Sequence, residues 1–167
     1  MAATQTFDIT TGCDLQEVDN AINQTMKEIN QRYDFKGAKI GIDFKRDDGK
    51  IALSAPDDYK LKAAWEVMQS KMVKRKVPLK NLHVGNVEPA GGSTVRQEID
   101  LQQSIPTETA KSIVKFIKAQ KLKKVQASIQ KDQVRVSSPS RDELQAVMGL
   151  LKEHDFGVEL NFGNYRG

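Results

Sequence analysis

The chain has 167 residues, of which 29% are charged and 38% hydrophobic, and its formal net charge is +4. This balance suits a soluble globular protein, and no apolar run approaches the roughly 20 residues that a membrane-spanning helix needs. Residues 1–11 lack the pattern of a secretory signal, and the single cysteine, Cys13, cannot form an internal disulfide. We therefore expect a cytoplasmic protein that makes no contact with a membrane.

The first half of the chain predicts six elements. Alternation of apolar and polar residues predicts the strands, and apolar stripes at helical spacing predict the helices. Asp14 and Glu17 form a capping box at the start of the first helix. In chain order, the predicted elements are a strand at 6–10, a helix from Leu15, a hairpin at 40–53, a helix after Pro56 and a strand at 82–84.

The second half predicts the same order of elements. It follows a stretch with proline and glycine at 86–94, which we interpret as a linker. Ser140 and Glu143 form another capping box directly before an apolar helical stripe. The predicted elements are a strand at 95–101, a helix from Pro106, a hairpin at 125–136, a helix from Ser140 and a strand at 158–162.

The two halves also match each other in sequence. The Ser-x-Pro junction at Ser54 stands opposite that at Ser137, an offset of 83 residues that is half the chain length. A match of this period indicates a duplicated structural unit. We therefore predict an α+β fold with two ferredoxin-like domains of βαββαβ order, at residues 1–88 and 89–167. Each has an antiparallel sheet with helices on one face, and the strand at 6–10 fits its own sheet or, by exchange, the other.

Sequence patterns of catalysis and of metal binding are absent. No phosphate-binding glycine loop of either common type occurs, and His83 and His154 have no cysteine or carboxylate at metal-ligand spacing. We therefore predict a protein that is not an enzyme and that uses no metal or cofactor. An acyl-phosphate hydrolase, a chemistry that ferredoxin-like folds can carry, is the enzymatic alternative, and it would need such a phosphate loop.

Two stretches alternate cationic with aromatic residues, an arrangement that can hold phosphates and stack on bases. They are residues 32–37, with the sequence RYDFKG, and residues 161–167, with the sequence NFGNYRG. A helix end and a terminal strand are the structural alternatives. Residues 109–131 contain seven lysines and no acid, which predicts a surface that attracts phosphate or, alternatively, an ordinary solvated helix face.

The chain resembles the YajQ family of bacterial nucleotide-binding proteins over essentially its full length. The resemblance rests on residues 7–9, 32–37, 124–127 with 129–130, 133–136 with 141–147, and 161–166. It implies two ferredoxin-like domains and binding instead of catalysis. Members are described as binding nucleotides, some as sensing cyclic di-GMP and acting on transcription, and RNA has been suggested as a ligand. The chain departs from the family pattern at Ser138-Pro139, where Gly-Lys is expected, and at Gly167, where an acid is expected.

We expect an anionic nucleotide, such as cyclic di-GMP, to bind between the two halves or on an uncovered sheet face. The candidate side chains are Arg32, Phe35, Lys36, Arg135, Arg141, Tyr165 and Arg166. The cations would hold phosphates, the rings would stack on bases, and binding would alter the contact with a partner such as a transcription regulator. The alternative is an RNA-binding protein, with tRNA as one ligand, that uses its basic helix faces. Its outward strand positions carry no aromatic residue, which argues against the binding mode of an RRM.

Overall fold

A computed structural model describes residues 4–167, which form four α-helices and nine β-strands in two antiparallel sheets. The chain divides into two compact units. The first unit is residues 13–103, and the second unit combines the strand β1, at Gln5–Thr10, with residues 104–167. The predicted α+β fold of two ferredoxin-like domains is confirmed, since each unit combines two helices with an antiparallel sheet.

The first unit contains two helices and five strands. They are α1 (Leu15–Gln31), β2 (Gly41–Lys45), β3 (Lys50–Ala55), α2 (Asp58–Lys74), β4 (Leu82–Val84), β5 (Glu88–Ala90) and β6 (Thr94–Leu101). The sheet order is β2-β3-β6-β4, with β5 also paired to β6. The Asp14 side chain accepts from the N–H groups of Gln16 and Glu17, so α1 begins where the sequence predicted. Buried residues of α1, α2 and β3, among them Val18, Met68 and Leu53, form one core.

The second unit contains two helices and four strands. Besides β1, they are α3 (Thr107–Ala119), β7 (Gln126–Gln130), β8 (Gln133–Ser138), α4 (Arg141–Glu153) and β9 (Asn161–Arg166). The sheet order is β7-β8-β1-β9. Phe7 of β1 and Val136 of β8 are fully buried, and they pack with Ile113 of α3 and Leu151 of α4 in a second core. Each sheet therefore has its own apolar cluster.

The first strand of the chain lies in the sheet of the second unit. β1 pairs with β8, which places Phe7 opposite Val136 and Ile9 opposite Val134, and it also pairs with β9. β6, which follows in the later half of the sequence, lies between β3 and β4 of the first unit. The sequence left both placements of the first strand open because its alternation suits either sheet.

Residues 86–94 differ from the predicted linker. They contain β5, whose Glu88 pairs with Arg96 of β6, and a short 3₁₀ turn at Gly91–Ser93 that joins the two strands. Gly92 has a φ of 71°, a left-handed conformation that glycine adopts readily. The linker prediction was wrong because the same proline and glycine signals also mark a hairpin. Within residues 4–167, no helix is long and apolar enough to cross a membrane.

Candidate functional site

The second unit contains a pocket of about 510 Å³ beside the start of α4, the start of β1 and the end of β9. The residues that line this pocket are Gln5, Thr6, Arg141, Leu144, Gln145, Met148, Tyr165, Arg166 and Gly167. Three of the seven candidates from the sequence, Arg141, Tyr165 and Arg166, therefore meet in one place. The volume falls in the range of roughly 300–1,000 Å³ that small-molecule sites have.

Two serine hydroxyls fix the backbone that carries Arg141, the first residue of α4. Ser140 Oγ accepts the N–H of Glu143 at 3.3 Å, and Ser138 Oγ accepts the N–H of Ser140 at 3.0 Å. In a full capping box, the Glu143 carboxylate would accept that second N–H. The buried Ser138 takes its place, so its hydroxyl helps to hold the helix start.

Tyr165, on β9, has a ring that is held at one edge and open to solvent. Its hydroxyl donates to Met148 Sδ at 3.7 Å, and its ring centroid lies 6.3 Å from that of Phe7. Tyr165 is nevertheless 62% exposed. An exposed ring in a fixed position is a suitable platform for a nucleic-acid base to stack on.

Two glutamines of the pocket were missed by the sequence reasoning. Gln145 lies four residues after Arg141, on the same face of α4, and this spacing was a usable signal. Gln5 reaches the pocket only because β1 pairs with β8, opposite Ser138. A Cβ atom at Gly167 would lie 2.7 Å from Gln5 Cγ, so the terminal glycine leaves space for the Gln5 side chain. Both amides can donate and accept hydrogen bonds.

Arg135, on β8, is held by a buried carboxylate and does not line the pocket. Its Nε donates to Asp8 Oδ1 at 2.9 Å, a second N–H donates to Oδ2 at 3.4 Å, and the Asn164 amide also donates to Asp8. The hydrogen bond from Arg135 holds the pKa of Asp8, which is 2% exposed, below its ordinary value. Among residues 4–167, by contrast, no ion pair involves Arg141 or Arg166, although the charge of Arg166 also helps to lower the pKa of Asp8.

Arg32, Phe35 and Lys36 lie together in the first unit, just after α1. The Arg32 guanidinium donates to both Asp34 oxygens, at 2.9 and 2.6 Å, and to Glu28 at 3.3 Å. The hydrogen bond with Asp34 is the main reason why the pKa of Arg32 is raised. The guanidinium carbon lies 5.2 Å from the centroid of the Phe35 ring, which is 3% exposed. The arginine of this cluster is thus already paired, and its phenylalanine is buried.

The exposed rings of this region are Tyr33 and Tyr59, at 86% and 78% exposure. The Lys36 ammonium lies 5.9 Å from the Tyr33 ring, and the Lys60 ammonium lies 5.7 Å from the Tyr59 ring. Lys60 also donates to the Asp34 carbonyl. Tyr59 and Lys60 lie in the first turn of α2, far from residues 32–37 in sequence, and no local pattern links them to that run. The surface therefore combines exposed rings with lysines.

The acid-free lysine run covers α3 and the segment that follows it. Lys111 lies 3.7 Å from Glu108, a pair that is exposed on both sides. In the part of the chain that the structure describes, the other six lysines of the run have no ion-pair partner. That same part contains no group of three or more His, Cys, Asp or Glu side chains that could hold a metal ion.

Comparison with known proteins identifies the family. The family model described as "Nucleotide-binding protein YajQ-like" matches residues 5–166. This chain belongs to the YajQ family. The resemblance that the sequence stretches predicted is thereby confirmed.

Curated relatives in the YajQ family match almost the whole chain. A nucleotide-binding protein of Koribacter versatilis is 53% identical over 164 residues, 98% of each chain. One of Carboxydothermus hydrogenoformans is 50% identical over 166 residues, which are 99% of this chain and 100% of the relative. One of Trichlorobacter lovleyi is 52% identical over 160 residues, 96% of this chain and 98% of the relative. All three are described as nucleotide-binding proteins.

Proposed function

We propose that the pocket of the second unit binds a nucleotide, with Arg141 and Arg166 on its phosphates and Tyr165 stacked on a base. One observation carries the proposal: two arginines without ion-pair partners among residues 4–167 meet an exposed ring at a pocket of about 510 Å³. Guanidinium groups bind phosphate oxygens through two parallel hydrogen bonds. The description of the relatives as nucleotide-binding proteins supports the same function.

The ligand class that we favour is a cyclic dinucleotide such as cyclic di-GMP. It has two phosphates, and the pocket has two arginines on separate elements, Arg141 on α4 and Arg166 on β9. Its guanine edges carry donors and acceptors that Gln5 and Gln145 can match. A nucleoside monophosphate, with one phosphate and one base, would use only part of this set.

The other four candidates have supporting roles in this proposal. Arg135 holds Asp8 in β1, the strand that brings Gln5 to the pocket. Arg32 and Lys36, with the buried Phe35 beneath Arg32, form a second cationic surface. There a phosphate would have to compete with the carboxylates that Arg32 already binds, so the affinity would be lower.

Ligand binding is proposed to act on a partner protein, with a transcription regulator as the candidate, and without turnover of the ligand. Arg141 and Arg166 lie on α4 and β9, so a ligand that holds both would bias how these elements pack. The proposed location is the cytoplasm. Burial raises the pKa of the Cys13 thiol to about 11, so it stays protonated and unreactive in that compartment.

A thermal-shift panel of mononucleotides, cyclic dinucleotides and short RNA tests the proposal. A ligand at 100 times its Kd adds about 2.7 kcal/mol to the free energy of unfolding. We expect the largest shift with cyclic di-GMP, its loss in Arg141→Ala, and its retention in Arg46→Ala, an exposed arginine of the first unit. An equal shift in Arg141→Ala would contradict the site, and hydrolysis of acyl phosphate or ligand would contradict the absence of turnover.

A second candidate function is RNA binding through the basic faces. It is favoured by the six lysines of the run that lack ion-pair partners in residues 4–167, and by the exposed rings of Tyr33 and Tyr59. Binding of this kind weakens steeply with salt, because each phosphate contact releases a counterion. Titrations of oligo(U) RNA and of cyclic di-GMP at several salt concentrations distinguish the two functions. The affinity for RNA should fall steeply with salt, whereas the affinity of the pocket for cyclic di-GMP should fall less steeply.

A further inference from the structure

The edge strands of the two sheets are not equally protected against pairing with another chain. β4 and β5 have three residues each, and β5 contains Pro89. β2 carries the charged residues Asp43 and Lys45, and the pairing of β9 with β1 is interrupted between Thr6 and Asp8. Short length, proline, charge and bulges are the features by which proteins keep an edge from accepting a foreign strand. Only β7 lacks all of them among the edge strands of residues 4–167.

β7 has five uncharged residues, no proline and an uninterrupted register with β8. Gln130 pairs with Gln133 across a two-residue turn, and such a closing pair exchanges hydrogen bonds. By alternation, the N–H and C=O groups of Ala127 and Ile129 then face away from β8. No strand of residues 4–167 pairs with this outer edge, and Ile129 is 40% exposed. The edge thus offers free backbone groups and an apolar side chain.

The segment that leads into β7 is strongly positive. Lys121, Lys123 and Lys124 lie directly before the strand, and all three are exposed. At the other end, Lys131 is followed at once by Asp132, so the two charges offset each other. The charge that could attract a partner is therefore concentrated at one end of the edge. α3, the helix with the other lysines of the run, packs beside β7.

We propose that the edge of β7 is a docking site for an extended acidic segment of a partner protein, which adds antiparallel to β7 as a fifth strand. Backbone pairing would supply affinity, and the lysines before β7 would require acids at the C-terminal end of the added strand. A second copy of this chain fits less well, because its β7 would place Lys131 and Asp132, whose charges offset each other, beside those lysines. Nucleic acid cannot complete the backbone ladder. The inference does not depend on nucleotide binding.

The test is a titration of the ¹⁵N-labelled full chain with a designed peptide, Thr-Val-Thr-Val-Thr-Glu-Asp-Glu, followed by amide chemical shifts. We expect shifts at residues 121–130. The same core followed by three lysines should bind at least about tenfold more weakly. A peptide that carries its acidic residues before the Thr-Val repeat instead of after it should also bind more weakly.

Variants give matched controls. Lys123→Glu with Lys124→Glu should reverse the preference toward the lysine peptide. Lys27→Glu with Lys62→Glu, at exposed positions of the first unit, makes the same change in net charge and should leave the preference unaltered. Ala127→Pro removes an outward N–H and should abolish binding. The proposal would be overturned by absence of peptide binding or by equal binding of the acidic and the lysine peptide. It would also be overturned if the shifts of β7 depended on protein concentration alone, which would indicate self-association, or if oligo(U) RNA bound at β7 in place of the peptide.

Discussion

Two regions of this protein place an arginine beside an aromatic ring, and they differ in what the arginine already binds. In the first unit, Arg32 is held by Asp34 and Glu28. In the second unit, Arg141 and Arg166 have no ion-pair partner among the described residues. A phosphate at Arg32 must compete with two carboxylates, whereas no carboxylate of residues 4–167 pairs with Arg141. The pairing state of a cation therefore indicates a binding site more reliably than its presence in a motif does.

The aromatic rings of the two regions also differ, because only one of them is exposed to a ligand. Phe35 is buried, and the Arg32 guanidinium and the Lys60 ammonium lie over its ring. Tyr165 is exposed and lines the pocket. A base can stack only on a ring whose face is accessible.

The largest expected effect is that of removing both pocket arginines. Each charge-assisted hydrogen bond contributes about 1.5–3 kcal/mol, and about 1.4 kcal/mol is a factor of ten in affinity. Arg141→Ala with Arg166→Ala should therefore weaken cyclic di-GMP binding about 100-fold or more, measured by titration calorimetry. Arg32→Ala should change it by less than about twofold on the same argument. A larger loss in Arg32→Ala than in the double variant would reverse the comparison.

Replacing the exposed ring should have the next largest effect on binding. Stacking on an aromatic side chain contributes about 1–3 kcal/mol per base, so Tyr165→Ala should weaken nucleotide binding by about fivefold to 100-fold. Tyr165→Phe keeps the ring and loses only the hydroxyl that meets Met148, so it should bind nearly as the wild type does. Titration calorimetry with the same ligand checks both variants, and equal losses in the two would argue against stacking.

The ion pair between the buried Asp8 and the partly exposed Arg135 should matter for folding stability. Asp8→Asn removes the charge from hydrogen bonds that contribute about 1.5–3 kcal/mol to the free energy of unfolding near neutral pH. Because Arg135 lowers the pKa of Asp8 in the folded protein, this contribution is present above the unfolded pKa of about 3.9. This stabilising contribution is lost as the pH falls through the pKa that Asp8 has in the folded protein, which lies below its unfolded pKa.

Urea denaturation of wild type and Asp8→Asn checks this pH dependence. The two proteins should differ at pH 7, and the difference should shrink as the pH falls below the folded pKa of Asp8. Asp34→Asn is the matched control, since the Asp34 pKa is also lowered by its arginine but the pair is exposed to solvent. A constant difference between wild type and Asp8→Asn at every pH would show that the effect comes from packing and not from the charge.

The smallest expected effect is that of Arg32→Ala on stability. Exposed ion pairs contribute about 0.2–1 kcal/mol, and salt screens them. Arg32→Ala should lower the free energy of unfolding by no more than that, and the difference should vanish in 1 M salt. A large loss that persists in high salt would mean that the contact with the Phe35 ring stabilises this region more than the carboxylates do.

The elements of the fold were predictable because their signals are local. Alternation at Phe7 and Ile9 predicted β1, and the serine cap at Ser140 predicted the start of α4. Strand partners are not local. Both sheets contain apolar strands that β1 could join, and only backbone pairing shows that it lies beside β8 and β9. For the same reason, proline and glycine near Pro89 could not distinguish a linker from the hairpin of β5 and β6.

The candidate site was predictable only in part. Arg141, Tyr165 and Arg166 were found by residue type, but their convergence depends on β1, which pairs with both strands that flank it. The pairing of Arg32 could have been expected, since Glu28 lies four residues before it on α1. Asp8 could not be linked to Arg135 from the sequence, because this contact depends on the register between β1 and β8.

Amide chemical shifts of the ¹⁵N-labelled chain during a titration with cyclic di-GMP show whether the nucleotide binds in the pocket of the second unit. We expect saturable shifts at Gln5, Arg141, Gln145, Tyr165 and Arg166, with residues 32–36 unchanged. Saturable shifts confined to residues 32–36, Tyr59 and Lys60 would contradict binding in this pocket.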